Sequence, residues 1–432
     1  MLRIRWTDPA EDAGALHGWQ QPSLILTTLF LNFFFWFEPA DQFWFNGSRT
    51  VVLDSLAALC ALVLLFFLAP ALAAHASRQS LFQVAEASFG VIPAFAFRLA
   101  CAVFCLVWIA GVAGMWTFQA SWLLFNRELS AVEFRLLAGP LILLLFGTGL
   151  QSLGASAKLA TFTNKLGIAL LIAGAIRVRE NLGLPWAAPG SLNSIESEVL
   201  RRLAEPLILI GPLAFLAADF GCRARTRKDV ALVGIFGLAV PMVLTVVVVG
   251  FIRAAANGPG LGHGNSRNIA VALWGGDADR YWRPWIAIAM ITLFGIARFA
   301  VRKGAAAVSP MVKGRKARLA LLAVAFFSCV MLSMDGIYDI TRMSAPLAAS
   351  AVAILTVDYF FRGWRKQKHG RWDWVAVLSF LAGWAVNSSL SFWFGAEYQE
   401  QRTQQILIAY VVSFVLCSTG RAIEGKVKAT GP

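Results

Sequence analysis

The chain has 432 residues, 58% of them hydrophobic and only 14% charged, with a formal net charge of +14. A water-soluble fold of this length has no means of hiding so much apolar surface, so much of its solvent must be lipid. The positive balance does not point to nucleic acid, because the Lys and Arg residues stand in short clusters between apolar runs.

The N-terminus, MLRIRWTDPAEDAGALHGW, is mixed in charge and lacks both a short apolar core and a small-residue cleavage site, so it does not read as a signal peptide. A spanning helix needs about 20 mostly apolar residues. Twelve runs qualify, near 20–45, 50–74, 91–125, 135–153, 157–176, 204–221, 229–253, 284–302, 318–334, 343–361, 373–395 and 404–420. These are spans 1 to 12 below. They predict an all-α integral membrane protein with one transmembrane domain over 1–432, its core at 20–361 and two further helices at 373–420.

Loop charge alternates along the chain. The loops after spans 2, 4, 6, 8 and 10 and the C-terminal tail carry Arg78, Lys158, Arg223, Arg225, Arg227, Lys228, Arg302, Lys303, Arg362, Arg365, Arg371 and Arg421, against few acids: Glu86, Asp229, Asp373 and Glu424. The opposite loops mix both signs, as in Arg127/Glu128/Glu133/Arg135. Basic loops stay in the cytoplasm, which places both termini there and the protein in the cytoplasmic membrane.

Span 1 contains LNFFFWFEPADQFWFNG, with Glu38-Pro39 inside a stretch that must cross. Proline removes a backbone donor and clashes with the preceding turn, so the helix breaks or kinks there. A carboxylate at that depth needs a partner or a task. Alternatively, Glu38 and Asp41 sit at the outer surface and are simply solvated. Span 6, EPLILIGPLAFLAAD, carries Gly211-Pro212 and offers a second interruption. Paired interruptions are the sequence mark of a carrier whose site lies between two broken helices. A simple proline kink without a ligand is the other reading.

Span 8, PWIAIAMITLFGIARFAVRKG, places Arg298 thirteen residues after Trp285. At about 1.5 Å per residue that is roughly 20 Å in from the outer boundary. Either the guanidinium is buried there or it snorkels with Arg302 to the cytoplasmic headgroups.

The remaining signals read as structural. Arg223, Arg225, Arg227 and Lys228 form a cytoplasmic anchor, and Trp19, Trp44, Trp282, Trp285, Trp372 and Trp374 fit an interfacial aromatic belt. His75, His263 and His369 fall in loops as exposed residues, too far apart for one metal site. The six cysteines form no C-x-x-C pair, and there is no Walker-type phosphate loop and no H-E-x-x-H. An intramembrane enzyme therefore finds no support, and no cofactor is expected.

Four stretches resemble the nucleobase–cation symporter-1 family, which includes cytosine and hydantoin permeases. They are ASFGVIPAFAFRLACAVFCLVWIAG (Ala87–Gly111), AADFGCRARTRKDVALVGIFG (Ala217–Gly237), TVDYFFRG (Thr356–Gly363) and RWDWVAVLSFLAGWAVN (Arg371–Asn387). Together, in the family's order and spacing, they are spread across most of the chain. The resemblance implies a fold of the amino acid–polyamine–organocation superfamily, with two inverted five-helix repeats and two extra helices. It also implies a central site between broken spans 1 and 6, with spans 3 and 8 alongside.

Trp108 matches the tryptophan that the family stacks on a planar ring. Trp36 and Phe215 would add walls, and Gly211 would open the span 6 backbone to the solute. The family carries a hydroxyl-rich, sodium-binding stretch on span 8. This chain has Gly295-Ile296-Ala297-Arg298 there instead. Arginine offers no acceptor, so its fixed charge stands where sodium would bind and pairs with Glu38 or a substrate anion.

The implied function is a secondary permease for a small, polar, planar solute such as a nucleobase. It would work by alternating access among membrane lipids, with protons rather than sodium for coupling. Two other readings stay open. An amino-acid or amine carrier of the same fold would suit a charged site. A membrane sensor or degenerate permease that moves no solute would suit the lost hydroxyl-rich stretch.

Overall fold

In lipid no water is available to bond with the backbone, so each crossing segment must satisfy its own N–H and C=O groups, as the α-helix does. The computed structural model describes residues 49–125, 129–149, 153–178, 217–256, 300–308, 334–362, 371–394 and 399–430 in continuous stretches, with isolated residues at 19–27, 127, 199, 203, 283–291 and 323–324. Among these, all regular structure is helical.

In chain order the elements are α1 (Arg49–Ser77), α2 (Leu81–Phe89), α3 (Val91–Phe125), α4 (Ala131–Gly149), α5 (Leu153–Val178), α6 (Arg227–Gly234), a π-helical turn (Ile235–Ala239), α7 (Val240–Ala256), α8 (Met334–Arg362), α9 (Trp374–Phe394) and α10 (Gln399–Thr430). Residues 217–221 and 300–308 are also helical and carry the C-terminal ends of spans 6 and 8. Val52–Ser77, Val91–Phe125, Lys158–Ile176, Arg227–Val248 and Thr403–Gly425 are each long and apolar enough to cross a membrane. They are spans 2, 3, 5, 7 and 12. Ala345–Phe361 and Trp374–Val386, at spans 10 and 11, are shorter apolar helices. Spans 1, 8 and 9 and most of span 6 lie largely outside the described residues, as does any test of the inverted repeat.

Three local features depart from the hydropathy reading. Span 4 starts at Ala131, and spans 10 and 12 extend to Met334–Arg362 and Gln399–Thr430. The added turns are polar in sequence, where hydropathy carries no signal. A short helix, α2, fills the loop between spans 2 and 3. It starts at Ser80, whose N–H donates to Gln83 Oε1 at 2.9 Å, and stops at Gly90, whose φ of 88° suits a residue without Cβ. Span 7 contains the π-helical turn at Ile235–Ala239, just beyond its Thr226/Asp229 capping box.

Helix α8 is the hub of the described half, packing on α10, α9, α3 and α1. Every residue from Ala348 to Asp358 is buried, and small residues, Ala345, Ala348, Ala349, Ser350 and Ala353, recur among the larger Val352, Ile354, Leu355 and Val357. Lipid supplies no hydrophobic drive between helices, so close approach of small residues holds them together. Ser350 of α8 and Ser413 of α10 stand over Gly383 of α9, with Ser413 Oγ donating to the Ser379 carbonyl at 3.1 Å. Helix α1 also packs on α6 and the π-helical turn, and α7 on α5.

Candidate functional site

Helix α3 places the predicted stacking residue at the centre. From Phe104 to Ala110 every residue is buried, and burial resumes from Val112 to Gly114. A membrane helix buried all round is surrounded by other helices rather than lipid. Trp108 lies in the middle of this turn, 7% exposed, with its ring edge-to-face on Phe104 at 5.8 Å. Trp36, Glu38, Gly211, Phe215 and Arg298, the other predicted site residues, lie outside the described residues.

The four stretches that carry the family resemblance meet elsewhere, in a charged layer on the basic face. The first two converge on Phe82 of α2. Asp219, at the end of span 6, accepts the Leu81 N–H at 3.2 Å and pairs with the Lys303 ammonium. Lys303 Nζ in turn sits 4.7 Å from the centre of the Phe82 ring. The Arg98 guanidinium lies over the same ring, also at 4.7 Å, and is held by Glu86 at 2.6 Å. The ring is thus contacted by two cations, each anchored by its own carboxylate, an arrangement favoured by the negative aromatic face. Gly221 meets the Ala71 backbone so closely that a Cβ would overlap the Ala71 carbonyl.

The other two stretches meet at Arg421. Its Nε donates to Asp358 Oδ1 at 2.7 Å and its NH1 to Asp373 Oδ1 at 3.0 Å, and Glu424 completes the set at 3.2 Å. Backbone bonds extend this group to α2 and α3: Asp373 N–H donates to Phe89 O at 2.9 Å and Ile92 N–H to Arg371 O at 3.3 Å. Phe89 also packs edge-on against Phe380 and stacks on Phe97.

His75 requires a correction. It is not an exposed loop residue. It closes the last turn of α1, half-buried, with Nδ1 3.0 Å from the Ala224 carbonyl. The helix runs past the apolar stretch that set its predicted end. Next to it, Arg78 donates to the Cys222, Ala224 and Arg225 carbonyls, which tie span 2 to the turn after span 6. Within that turn, burial and the nearby Asp219 charge push the Cys222 thiol up to about 11. Arg225, Arg227 and Lys228 are exposed, as an anchor requires, and Trp372 and Trp374 are exposed and stacked at 5.0 Å, in keeping with the belt.

A sequence reading could flag the motif acids but not their partners. Lys303 and Arg421 look like ordinary loop and tail cations, and only the folded chain brings them against Asp219 and Asp358.

Apolar spans, a stretch of α3 buried all round at Phe104–Ala110 and a cross-linked basic face belong to an integral membrane protein. The fold resembles that of Mhp1, a nucleobase-cation-symport-1 family transporter, in a closed conformation with bromovinylhydantoin bound. The TM-score is 0.71 at 14% identity, over 99% of this chain and 96% of that one. The inward-facing conformation of Mhp1 matches with a TM-score of 0.64 at 16% identity, over 94% and 90%. A substrate-bound, outward-open Na+-coupled sialic acid symporter matches with a TM-score of 0.62 at 10% identity, over 98% and 93%. These are all transporters, and at such identities the likeness is one of fold. No protein-family model and no curated sequence matches the chain.

Proposed function

We propose that the chain is a permease of the cytoplasmic membrane that moves a small, polar, planar solute, such as a nucleobase or related heterocycle, by alternating access. The observation that carries this is Trp108, enclosed in the all-round-buried turn of α3 within a fold whose solved example holds a hydantoin. An indole face takes up a flat heterocycle by offset stacking and area burial.

In this reading the solute lies between Trp108 and the interrupted spans 1 and 6, with Trp36 and Phe215 as walls and the Gly211 backbone as a polar edge. Glu38 and Arg298 replace the cation site. The guanidinium supplies a permanent positive charge, Glu38 answers it, and protonation of Glu38 loosens the pair. Transport is then coupled to protons or runs as exchange, without need of sodium. The basic face is cytoplasmic, as are both termini.

The test is uptake by purified protein in liposomes, with labelled uracil, cytosine and hydantoin challenged by unlabelled nucleobases, amino acids and amines. The reading expects heterocycles alone to compete and choline to replace sodium without loss. Competition by amino acids or amines instead would establish the carrier alternative. Strict sodium dependence would remove the cation-substitute role of Arg298.

A further inference from the structure

We infer that the Asp219–Lys303 pair is the closing contact of the basic face, intact while that side is sealed and separated when it opens. The inference rests on the alternating-access reading above. It comes from how the described elements are tied together.

One group is fastened around the end of span 2. His75 and Arg78 hold the carbonyls of Cys222, Ala224 and Arg225, and Gly221 lies flush against the Ala71 backbone. The end of span 2, the end of span 6 and the start of α6 therefore move as one. A second group is fastened around Phe89 and Arg421. Glu86–Arg98 locks α2 to α3, the Phe89 and Arg371 backbones join α2 and α3 to the start of α9, and Arg421 binds α8, α9 and α10. Asp219 belongs to the first group, while Leu81 and the Phe82 ring under Lys303 belong to the second. The two groups also pack through α1 and α8, and on the basic face the Asp219 carboxylate is a charged contact between them.

Exposure separates this contact from the Arg421–Asp358 bond, and chain connection separates it from Glu86–Arg98, whose carboxylate is 31% exposed but whose helices, α2 and α3, join directly at Gly90. Arg421 and Asp358 are 1% and 2% exposed, sealed on both sides, so parting them would strand two charges in the interior. Lys303 is as deeply placed at 4%, but Asp219 is 30% exposed. Water already reaches the carboxylate, so it can be hydrated as it leaves. Lys303 keeps the face of Phe82 when Asp219 departs, and its ammonium is not left bare. One partner stays with its group and the other can withdraw into water, as a reversible contact requires.

The test reads accessibility and needs no solute. Cys101 and Cys105 are buried in the first half of α3, beyond Arg98. In a Cys222→Ala background their alkylation by a membrane-impermeant maleimide is followed by mass spectrometry, in vesicles presenting the basic face or its opposite. Lys303→Met and Asp219→Asn should each raise alkylation from the basic face about ten-fold, as expected for a shift toward the open population. The charge-conserving Lys303→Arg should stay near the parent rate. Charge-removing singles that alkylate at the parent rate, or Lys303→Arg as fast as Asp219→Asn, would overturn the inference. Each variant is first checked for a monodisperse elution profile. If Lys303→Met fails this check, Asp219→Asn and Lys303→Arg decide. A latch that behaves as expected in a protein that moves no solute would count against the permease reading alone.

Discussion

Arg421 and Asp358 stand 63 positions apart, yet the Nε of one donates to Oδ1 of the other at 2.7 Å with both side chains sealed from solvent. Asp373, from the turn before α9, shares the same guanidinium. Removing the arginine leaves a buried carboxylate unpaired, a change that costs about 3–5 kcal/mol. Arg421→Met should therefore lower the unfolding temperature in detergent well below that of the parent. Arg421→Lys should recover only part of the loss, because one ammonium cannot reproduce a planar fork that serves two carboxylates.

Three glycines in the described helices and turns predict three different outcomes. Gly221→Ala drives a methyl into the Ala71 carbonyl, a backbone neighbour with no side-chain freedom to yield, and should abolish stable expression. Gly383→Ala meets Ser413 Oγ, and lies 2.7 Å from Ser350 Oγ and 2.8 Å from the Ala409 carbonyl. Overpacking of this kind costs about 1–3 kcal/mol and should part α9 from α8 and α10. Gly425→Ala meets nothing within 4 Å and should be neutral or gain up to about 1 kcal/mol from helix propensity. Thermal melts of the three purified variants check the order.

Helix order and membrane character were legible because hydropathy reports them directly: α1, α3 and α5 fall within a few residues of the runs that predict them. Helix α2 was not, since LFQVAEASF is too short and too mixed to register, and its role depends on Asp219 and Asp373 far along the chain. The motifs themselves were visible at Asp219, Asp358 and Asp373, but sequence assigned them no partner. The cations that answer them, Lys303 and Arg421, carry no pattern of their own. Trp108 was legible through resemblance alone, because a tryptophan among 16 has no local signature of a binding role.

On the face opposite the basic layer, Arg127 grips Glu133 through two bonds at 3.0 and 2.6 Å, and Ser130 donates to the same carboxylate from N and Oγ, both at 2.9 Å. The Arg127 bonds, then those of Ser130, hold the Glu133 carboxyl down to about 2. A depressed carboxyl contributes stability that is full above its unfolded value and is lost as pH falls toward its folded one. The first turn of α4 should therefore stay closed at pH 5 and fray progressively between about 4.5 and 2. Amide hydrogen exchange at residues 131–134 across that range checks it, and Glu133→Gln should fray at all pH values.

The raised Cys222 thiol has a kinetic signature. With a value of about 11, only about one molecule in ten thousand carries the thiolate at pH 7. Maleimide reaction at Cys222 should be slow at neutral pH and rise about ten-fold per pH unit to the limit of stability. Asp219→Asn removes a nearby negative charge and should move the whole profile to lower pH, as a pH series of labelling by mass spectrometry would read.

The permease reading is tested most directly by counterflow of a labelled nucleobase or hydantoin in liposomes, comparing the parent with Trp108→Phe and Trp108→Ala. The reading predicts saturable counterflow by the parent without sodium, a several-fold higher KM for Trp108→Phe, and loss of about ten-fold or more in kcat/KM for Trp108→Ala, as when an aromatic stacking face is removed. Counterflow by Trp108→Ala indistinguishable from the parent, or none by the parent above protein-free liposomes for any heterocycle, would contradict it.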